Sequence, residues 1–497
     1  MDLVSEDLLL DFYLDLLKDG RVPYVRDEAE KEALAGLLGE LRASGEDLHR
    51  KITVAKKLWK TLFQAAMSYL DPDRRGYSDL FRYFDDFVDF EELLFASDSF
   101  YRDHTLHSLW VYFLQEYLVH DPRFAPVVGR FGGRRLSQGT AELFELLELS
   151  EFLRLTSRTW PTTRCVAALA HDLGYPVKKI GKINKAVAKM LPHFDIERHI
   201  EFEFRFSELQ QHFLSKFLLL LSSSMSVHLS ETEWSEEAVR RVTGESRKFQ
   251  TLEDVLTYVR QLTREQRAEL GRTLPASLHW RNSVDHHKYL RRCIQLEQSD
   301  HGLLSAYLLF KMLPAFSDYA LTIQEHWHEG EDYRRFPALY TLTAVADHSA
   351  STYQIRDIDS PSDLLTLVDE LEEFSRITRA SQSRQYANEF CRTALDHRDG
   401  WLEVSFVFDN PRLVDIRPEV FFRDKASRFL RLFDVPRLEP ALKIRMSVLD
   451  RMRTEPTDYR LECERGHASI EVNGISQRIP DYLGSPDFLA EYAPLDT

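Results

Sequence analysis

The sequence has few cysteines, and they are far apart. Its 497 residues include only four, without a C-x-x-C pair, at Cys165, Cys293, Cys391 and Cys463. This spacing argues against a zinc-thiolate site and against a disulfide framework, since both need closely matched cysteines. A reducing, cytoplasmic compartment fits such a pattern.

Long apolar runs are also missing. The most apolar stretch, Phe217 to Leu221, is far shorter than the ~20 residues that a membrane-spanning helix requires. The amino terminus, Met1 to Asp7, is acidic and lacks the basic start of a secretory signal peptide. We therefore expect a soluble protein with no membrane partner.

An excess of basic residues is the third absence. The 64 lysines and arginines are outnumbered by 80 aspartates and glutamates, which gives a formal net charge of −16. This balance argues against extended nucleic acid as a partner, because the phosphate backbone attracts basic surfaces. It leaves open a nucleotide or another phosphorylated small molecule, which needs only a local basic patch.

The length and the hydrophobic patterning predict a mainly α protein of two or three domains. Residues 1–95 have the periodicity of amphipathic helices, and residues 96–380 continue as a helical domain with a large helical insertion at about 185–290. From about residue 400 to 497 several segments alternate with period two around one helical stretch, which predicts a small α+β domain.

One stretch of the helical domain carries an unusual polar pair. The apolar run from Cys165 to Ala170 ends in His171 and Asp172, and Gly174 follows as a helix-stop signal. A carboxylate at the inner end of so apolar a helix is costly unless a cation or hydrogen-bond donors neutralise it. Because imidazole and carboxylate are good ligands for divalent metals, this pair is a candidate metal site.

Further residues of the ligand type occur in similar settings. His107 lies on the buried stripe of its helix, with His104 one turn earlier as the alternative ligand. A lone histidine there is usually a core residue, so the set matters more than any member. Of the other candidates, His301 opens an apolar helix, His348 follows an apolar run, and Asp369 lies within a helix directly after Val368. Six nitrogen and oxygen ligands suit one or two ions of Mn, Fe, Ni, Co or Mg.

A cluster of lysines follows the His-Asp pair. Lys178, Lys179 and Lys182 lie within five positions of one another in an otherwise acidic chain. We interpret them as a cationic rim for substrate phosphates, since a lysine acts there as a compact point charge. A solvated surface turn is the alternative.

The ordered set resembles the HD-domain superfamily of metal-dependent phosphohydrolases. The similar motifs are Arg102…His107-Ser-Leu-Trp-Val, Ala168-Leu-Ala-His171-Asp172-Leu-Gly and Leu-Val-Asp369-Glu-Leu. The resemblance covers roughly residues 95 to 380. It implies that His107, His171, Asp172 and Asp369 hold one metal. His301 and His348 look like the extra histidines of members with a second metal. Tyr175 departs from the family, where Lys or His is common.

The resemblance implies hydrolysis of nucleotides by metal-activated water. A deoxynucleoside triphosphate hydrolase is the first expectation, and a cyclic or oligonucleotide phosphodiesterase is the alternative. The implied catalytic residues are Asp172, His301, His348 and Lys178, and Arg102 would join Lys178, Lys179 and Lys182 on substrate phosphates. Nucleotide-pool control or antiviral defence would fit, and so would a homo-oligomer.

Two readings from other classes remain. A catalytically silent sensor could bind a nucleotide and signal through the carboxyl-terminal domain. A protein-interaction scaffold could instead use the acidic, aromatic helix predicted at residues 77–94.

Overall fold

The fold is given by a computed structural model that describes most of the chain. The described residues are 2–45, 47–68, 70–95, 100–101, 103–128, 146, 150–195, 207–229, 239–247, 249, 252–273, 278–321, 335–375, 377–378, 391–410, 417–452, 454–477 and 479.

The chain is mainly helical. Up to residue 195 the helices are α1 (Glu6–Lys18), α2 (Glu28–Ala43), α3 (Leu48–Met67), α4 (Tyr77–Phe95), α5 (His104–His120), α6 (Ala125–Val128), α7 (Ser150–Ala170) and α8 (Tyr175–Met190), followed by a 3₁₀ turn at Leu191–Phe194. Later helices are α9 (Glu208–Leu221), α10 (Leu252–Gln261), α11 (Arg264–Thr273), α12 (His286–Glu297), α13 (His301–Met312), α14 (Pro314–Leu321), α15 (Arg335–Asp347), α16 (Pro361–Leu371) and α17 (Pro418–Leu432).

Local sequence explains where several helices begin. Ser360 caps α16: its hydroxyl oxygen accepts a hydrogen bond from the Asp363 N–H, and the Asp363 carboxylate accepts one from the Ser360 N–H. Pro361 occupies the first position, where its missing N–H costs nothing. At α5 the Asp103 carboxylate accepts the Leu106 N–H. These caps set the starting points of two helices that carry candidate ligands.

Helix α5 lies at the centre of the helical core. It is buried on all sides from His104 to Leu118 and packs against α1, α3, α7 and α16. A helix that is apolar all round can be stable only in such an interior position. Trp110, on this helix, is fully buried.

The carboxyl-terminal part contains a seven-stranded sheet with α17 against it. Its order is β1 (Asp2–Val4), β6 (Arg392–Arg398), β7 (Trp401–Phe408), β8 (Lys443–Asp450), β9 (Thr457–Glu464), β10 (His467–Val472) and β11 (Ile475–Gln477). Neighbours are antiparallel except β7 and β8, which run parallel with Trp401 opposite Lys443. Helix α17 makes the crossover between these two strands and packs on β8 and β9.

The prediction of a mainly helical chain with a small carboxyl-terminal α+β unit is confirmed at this level. Two features were not predicted. The amino-terminal strand β1 pairs with β6, and Leu3 lies opposite Ala394. In the insertion, β3 (Ser223–Leu229) and β4 (Leu278–Val284) form an antiparallel pair. Both pairings join segments far apart in sequence, so local periodicity does not report them.

Two further strands form a small antiparallel pair. They are β2 (Phe100–Tyr101) and β5 (Ile377–Thr378). Among the described residues, no helix combines the length and the apolar character needed to cross a membrane.

A buried ion pair joins α5 to α7. Arg164 Nε lies 2.8 Å from Glu116 Oε1, and both side chains are almost fully buried. Burial raises the pKa of Glu116, but the charges of Arg164 and His120 outweigh this effect and lower that pKa to about 2. The pair therefore connects the two helices that bring His107 and His171 to the centre of the molecule.

Replacing Glu116 by glutamine should destabilise the protein in a pH-dependent way. At neutral pH we expect a loss of about 3 kcal/mol in the free energy of unfolding, because Arg164 stays buried without its partner. Since the folded-state pKa is depressed, the contribution of Glu116 is complete above pH 4.5 and is lost as the pH falls towards 2. Urea unfolding of both proteins across this range measures the difference.

The matched control is Glu28→Gln, which removes a carboxylate from an exposed pair with Lys31 and should change little. A difference between wild type and Glu116→Gln that stays constant from pH 5 to pH 2 would contradict the assignment.

Candidate metal centre

The ends of five helices converge on one buried point. His107 lies in the second turn of α5, and His171 and Asp172 follow the last residue of α7. His301 opens α13, and His348 follows the end of α15. Asp369 lies in the last turn of α16. The structure thus brings together all six residues that the sequence predicts as metal ligands.

Four of these residues form a first cluster. His107 Nε2 lies 2.8 Å from Asp369 Oδ1, and His171 Nε2 lies 3.2 Å from Asp172 Oδ2. The cross distances are 3.8 Å between His171 Nε2 and Asp369 Oδ1 and 3.9 Å between His107 Nε2 and Asp172 Oδ2. His107 and His171 are fully buried.

A second cluster uses the other oxygen of Asp172. His301 Nε2 lies 3.3 Å and His348 Nε2 3.7 Å from Asp172 Oδ1. The two Nε2 atoms are 3.2 Å apart. One carboxylate therefore stands between two groups of imidazoles, with one oxygen directed at each group.

Three overlapping sets among the described residues have the spacing of metal ligands. In each, one ligand atom per residue lies within 4.8 Å of the others, and the sets are His107–His171–Asp172, His171–His348–Asp369 and Asp172–His301–His348. These buried groups can hold a metal ion.

The outer nitrogens of three imidazoles are fixed by acceptors. His171 Nδ1 donates to the Ala168 carbonyl at 2.7 Å, and His348 Nδ1 donates to the Val345 carbonyl at 2.7 Å. His107 Nδ1 lies 2.6 Å from the Glu372 carboxylate. Because carbonyls only accept, Nδ1 carries a proton in the first two, which leaves Nε2 as the nitrogen available to a metal.

These residues fit a metal if, without one, a buried ligand atom is left poorly paired. His171 Nε2 is buried and makes no hydrogen bond of good geometry, although the Asp172 carboxylate lies 3.2 Å away. A poorly paired nitrogen at this depth is costly, and a cation between it and the carboxylates would remove that cost. The donor set of imidazole and carboxylate also fits divalent ions.

The electrostatics of the centre point the same way. Against the effect of burial, the neighbouring histidines hold the pKa values of Asp172 and Asp369 well below their usual range. Burial lowers the pKa of His171, but the two carboxylates outweigh it and raise that pKa to about 10. Two buried carboxylates thus require positive charge beside them.

Two glycines allow the backbone to approach this closely. A Cβ on Gly302 would lie 2.5 Å from Ser349 Oγ, 2.6 Å from the Val345 carbonyl and 2.8 Å from His348 Cε1. A Cβ on Gly174 would lie 2.4 Å from the His301 carbonyl. The loop before α8 and the ends of α13 and α15 can meet only without these side chains.

An arginine holds the end of α15 next to His348. The buried Arg292 donates to the Asp347 carboxylate and, at 3.2 Å, to the Ala346 carbonyl. Ser362 Oγ donates to the second Asp347 oxygen at 3.2 Å. Asp347 is therefore paired with Arg292 and Ser362 and belongs to none of the three ligand sets.

The lysines of the predicted cationic rim differ in their surroundings. Lys178 is exposed, and its Nζ lies 3.4 Å from His301 Nδ1. Lys179 is buried, with its ammonium 4.7 Å from the centre of the Tyr175 ring. Arg102 and the side chain of Lys182 lie outside the described part of the chain.

The geometry distinguishes between the two candidate histidines of α5. His107 belongs to a metal-sized set, whereas His104 does not. His104 Nε2 is 3.9 Å from Asp172 Oδ2, its Nδ1 is 2.6 Å from Glu91 Oε2, and its ring lies 4.1 Å from that of Tyr175. His104 therefore lies beside the cluster, held by a buried carboxylate.

The sequence analysis did not identify Glu91 or Glu372. Glu372 follows Asp369 by three residues, a spacing that places two carboxylates on one helical face and gave a usable signal. Glu91 lies in the acidic helix α4, where nothing separates it from its neighbours in sequence.

The chain was compared with known protein families, curated proteins and solved structures. No family model, curated protein or solved structure matches the chain.

The close approach at Gly302 leads to a testable prediction. Gly302→Ala should weaken divalent metal binding about tenfold or more, because the added Cβ pushes His301 and His348 apart. Titration of metal-free protein with Mn²⁺ or Co²⁺ measures the effect. Gly36→Ala, in α2 with no atom within 4 Å of the added Cβ, is the control and should bind metal normally. Equal affinities for the two variants would contradict this role.

Proposed function

We propose that this chain is an HD-type, metal-dependent phosphohydrolase that acts on nucleotides. The observation that carries the proposal is the buried Asp172 carboxylate between two groups of imidazoles. The order of ligands along the chain and their convergence from separate helices support it.

The two clusters assign ligands to ions. His107, His171, Asp172 and Asp369 would hold one ion, and Asp172, His301 and His348 would hold a second. Mn, Fe, Ni, Co or Mg suits such a set of ligands. Cys165 is not a candidate ligand, because its thiol is directed at the Leu62 carbonyl. When bound, the ions supply Lewis acidity, which acidifies water and neutralises phosphoryl oxygens.

The chain's own residues would bind and orient the substrate. Lys178 is exposed beside His301, so its ammonium can pair with a phosphate that reaches the second cluster. Lys179 and Tyr175 form a cation–π contact next to it. This local positive charge favours a polyphosphate, and for this reason a deoxynucleoside triphosphate hydrolase is preferred to a phosphodiesterase.

A panel of substrates with Mn²⁺ tests the proposal. We expect the wild-type protein to release triphosphate or pyrophosphate from deoxynucleoside triphosphates. Linear monophosphates from cyclic or oligonucleotide substrates would instead support the phosphodiesterase. His171→Ala combined with Asp172→Ala should abolish turnover, because both clusters lose ligands.

The control is His212→Ala, an exposed histidine on α9, which should retain full activity. Tight nucleotide binding with no turnover under any divalent metal would contradict the proposal and favour a sensor. If the double variant still turned over substrate, the assignment of the active site to His171 and Asp172 would be contradicted.

His104 provides a test that separates metal binding from catalysis. Its imidazole, fixed by Glu91, is placed to hydrogen-bond a substrate oxygen near Asp172. His104→Ala should keep the wild-type metal content and lower kcat about hundredfold, as loss of one such donor does in other enzymes. Metal analysis and steady-state kinetics measure both quantities. A variant that loses its metal would show that His104 is a ligand.

A further inference from the structure

The carboxyl-terminal domain contacts the helical core close to the candidate metal centre. Its helix α17 meets the end of α16, the helix that carries Asp369. The contact is polar and buried: Lys425 of α17 is 2% exposed, and Glu373 after α16 is 1% exposed. A lysine this buried is rare unless it is paired.

The ammonium of Lys425 has three acceptors on the end of α16. It lies 2.7 Å from the Glu370 carbonyl, 2.9 Å from Glu370 Oε2 and 2.7 Å from Glu373 Oε1. The Glu370 carbonyl is one of the last four of the helix, which have no partner within it. A cation here also interacts favourably with the helix dipole.

Lys425 also contacts aromatic rings of the carboxyl-terminal domain, to which it belongs. Its ammonium lies 5.6 Å from the centre of the Phe406 ring and 6.0 Å from that of Phe421. The side chain is therefore held on one side by the α+β domain and on the other by the end of α16.

The residues that Lys425 binds alternate with residues of the metal centre. Asp369 directly precedes Glu370, and Glu372 lies between Glu370 and Glu373 in sequence. Glu372 accepts from His107 through Oε2 and from the Ser375 N–H through Oε1. A displacement of this turn would move the Asp369 carboxylate and the acceptor that orients His107.

We propose that Lys425 is a positioning residue through which the carboxyl-terminal domain sets the geometry of Asp369 and His107. This inference rests on the proposed metal site. If Lys425 positions these ligands, the α+β domain contributes directly to metal affinity. The reason is that groups that orient metal ligands commonly control affinity about tenfold or more.

A second ion pair between the same two parts of the chain, more exposed than the first, provides a control. Arg356, in the segment before α16, lies 2.8 Å from Asp434 at the end of α17. It is 55% exposed and contacts the domain at the beginning of α16, away from Asp369. Arg356→Met therefore removes an ion pair from the same contact without disturbing the turn that follows Asp369.

The experiment uses the full-length chain, freed of metal and titrated with Co²⁺. Wild type, Lys425→Met and Arg356→Met are compared by Co²⁺ affinity and by the visible absorption spectrum of the bound ion. We expect Lys425→Met to bind about tenfold or more weakly with an altered spectrum, and Arg356→Met to match wild type. Wild-type affinity and spectrum in Lys425→Met, or equal losses in both variants, would overturn the inference.

Two further outcomes are distinguishable. If wild type binds no Co²⁺ or Mn²⁺, the metal site and the proposed function fail together, whereas a binding wild type with an unaffected Lys425→Met overturns only this inference. Should Lys425→Met not fold, Glu373→Gln provides the same test, because Lys425 keeps its contacts with Glu370. Its Co²⁺ affinity should fall in the same direction, and an unchanged affinity would overturn the inference.

Discussion

The burial of one carboxylate, Asp172, is the constraint on which the structure depends. Its two oxygens are directed at different pairs of histidines, 3.2 Å from His171 Nε2 on one side and 3.3 Å from His301 Nε2 on the other. Such a group is stable in an apolar interior only with positive charge beside it. The helix ends, the two close glycines and the fixed imidazoles all serve to place donors or a cation around this residue.

The fold produces that arrangement by fixing the positions at which the helices begin and end. Caps at Asp103 and Ser360 determine where α5 and α16 begin, and the pair Glu116–Arg164 holds α5 against α7. At the other end of α16, Lys425 ties the last turn to the carboxyl-terminal domain. The candidate metal centre is therefore supported from both the helical core and the α+β unit, although the candidate ligands themselves all come from the core.

Much of the centre could be predicted from sequence, because ligand-type residues lay at the ends or on the buried faces of strongly apolar helices. That signal led to His107, His171, Asp172, His301, His348 and Asp369, which the structure brings together. Among the supporting groups, Glu372 carried a signal in its spacing from Asp369, but the others carried none. Glu91 is one acid among many in α4, and Lys425 lies in a mixed amphipathic helix. The partner strand of β1 is separated from it by most of the chain, so its pairing was not visible either.

X-ray diffraction from crystals grown with Mn²⁺, recorded at a wavelength where manganese scatters anomalously, tests the account most directly. The account predicts anomalous density within about 2.2 Å of the His171 Nε2 and of carboxylate oxygens of Asp172 and Asp369. A second peak between Asp172, His301 and His348 would mark the two-ion centre. Crystals with no manganese within bonding distance of Asp172 would contradict the central claim.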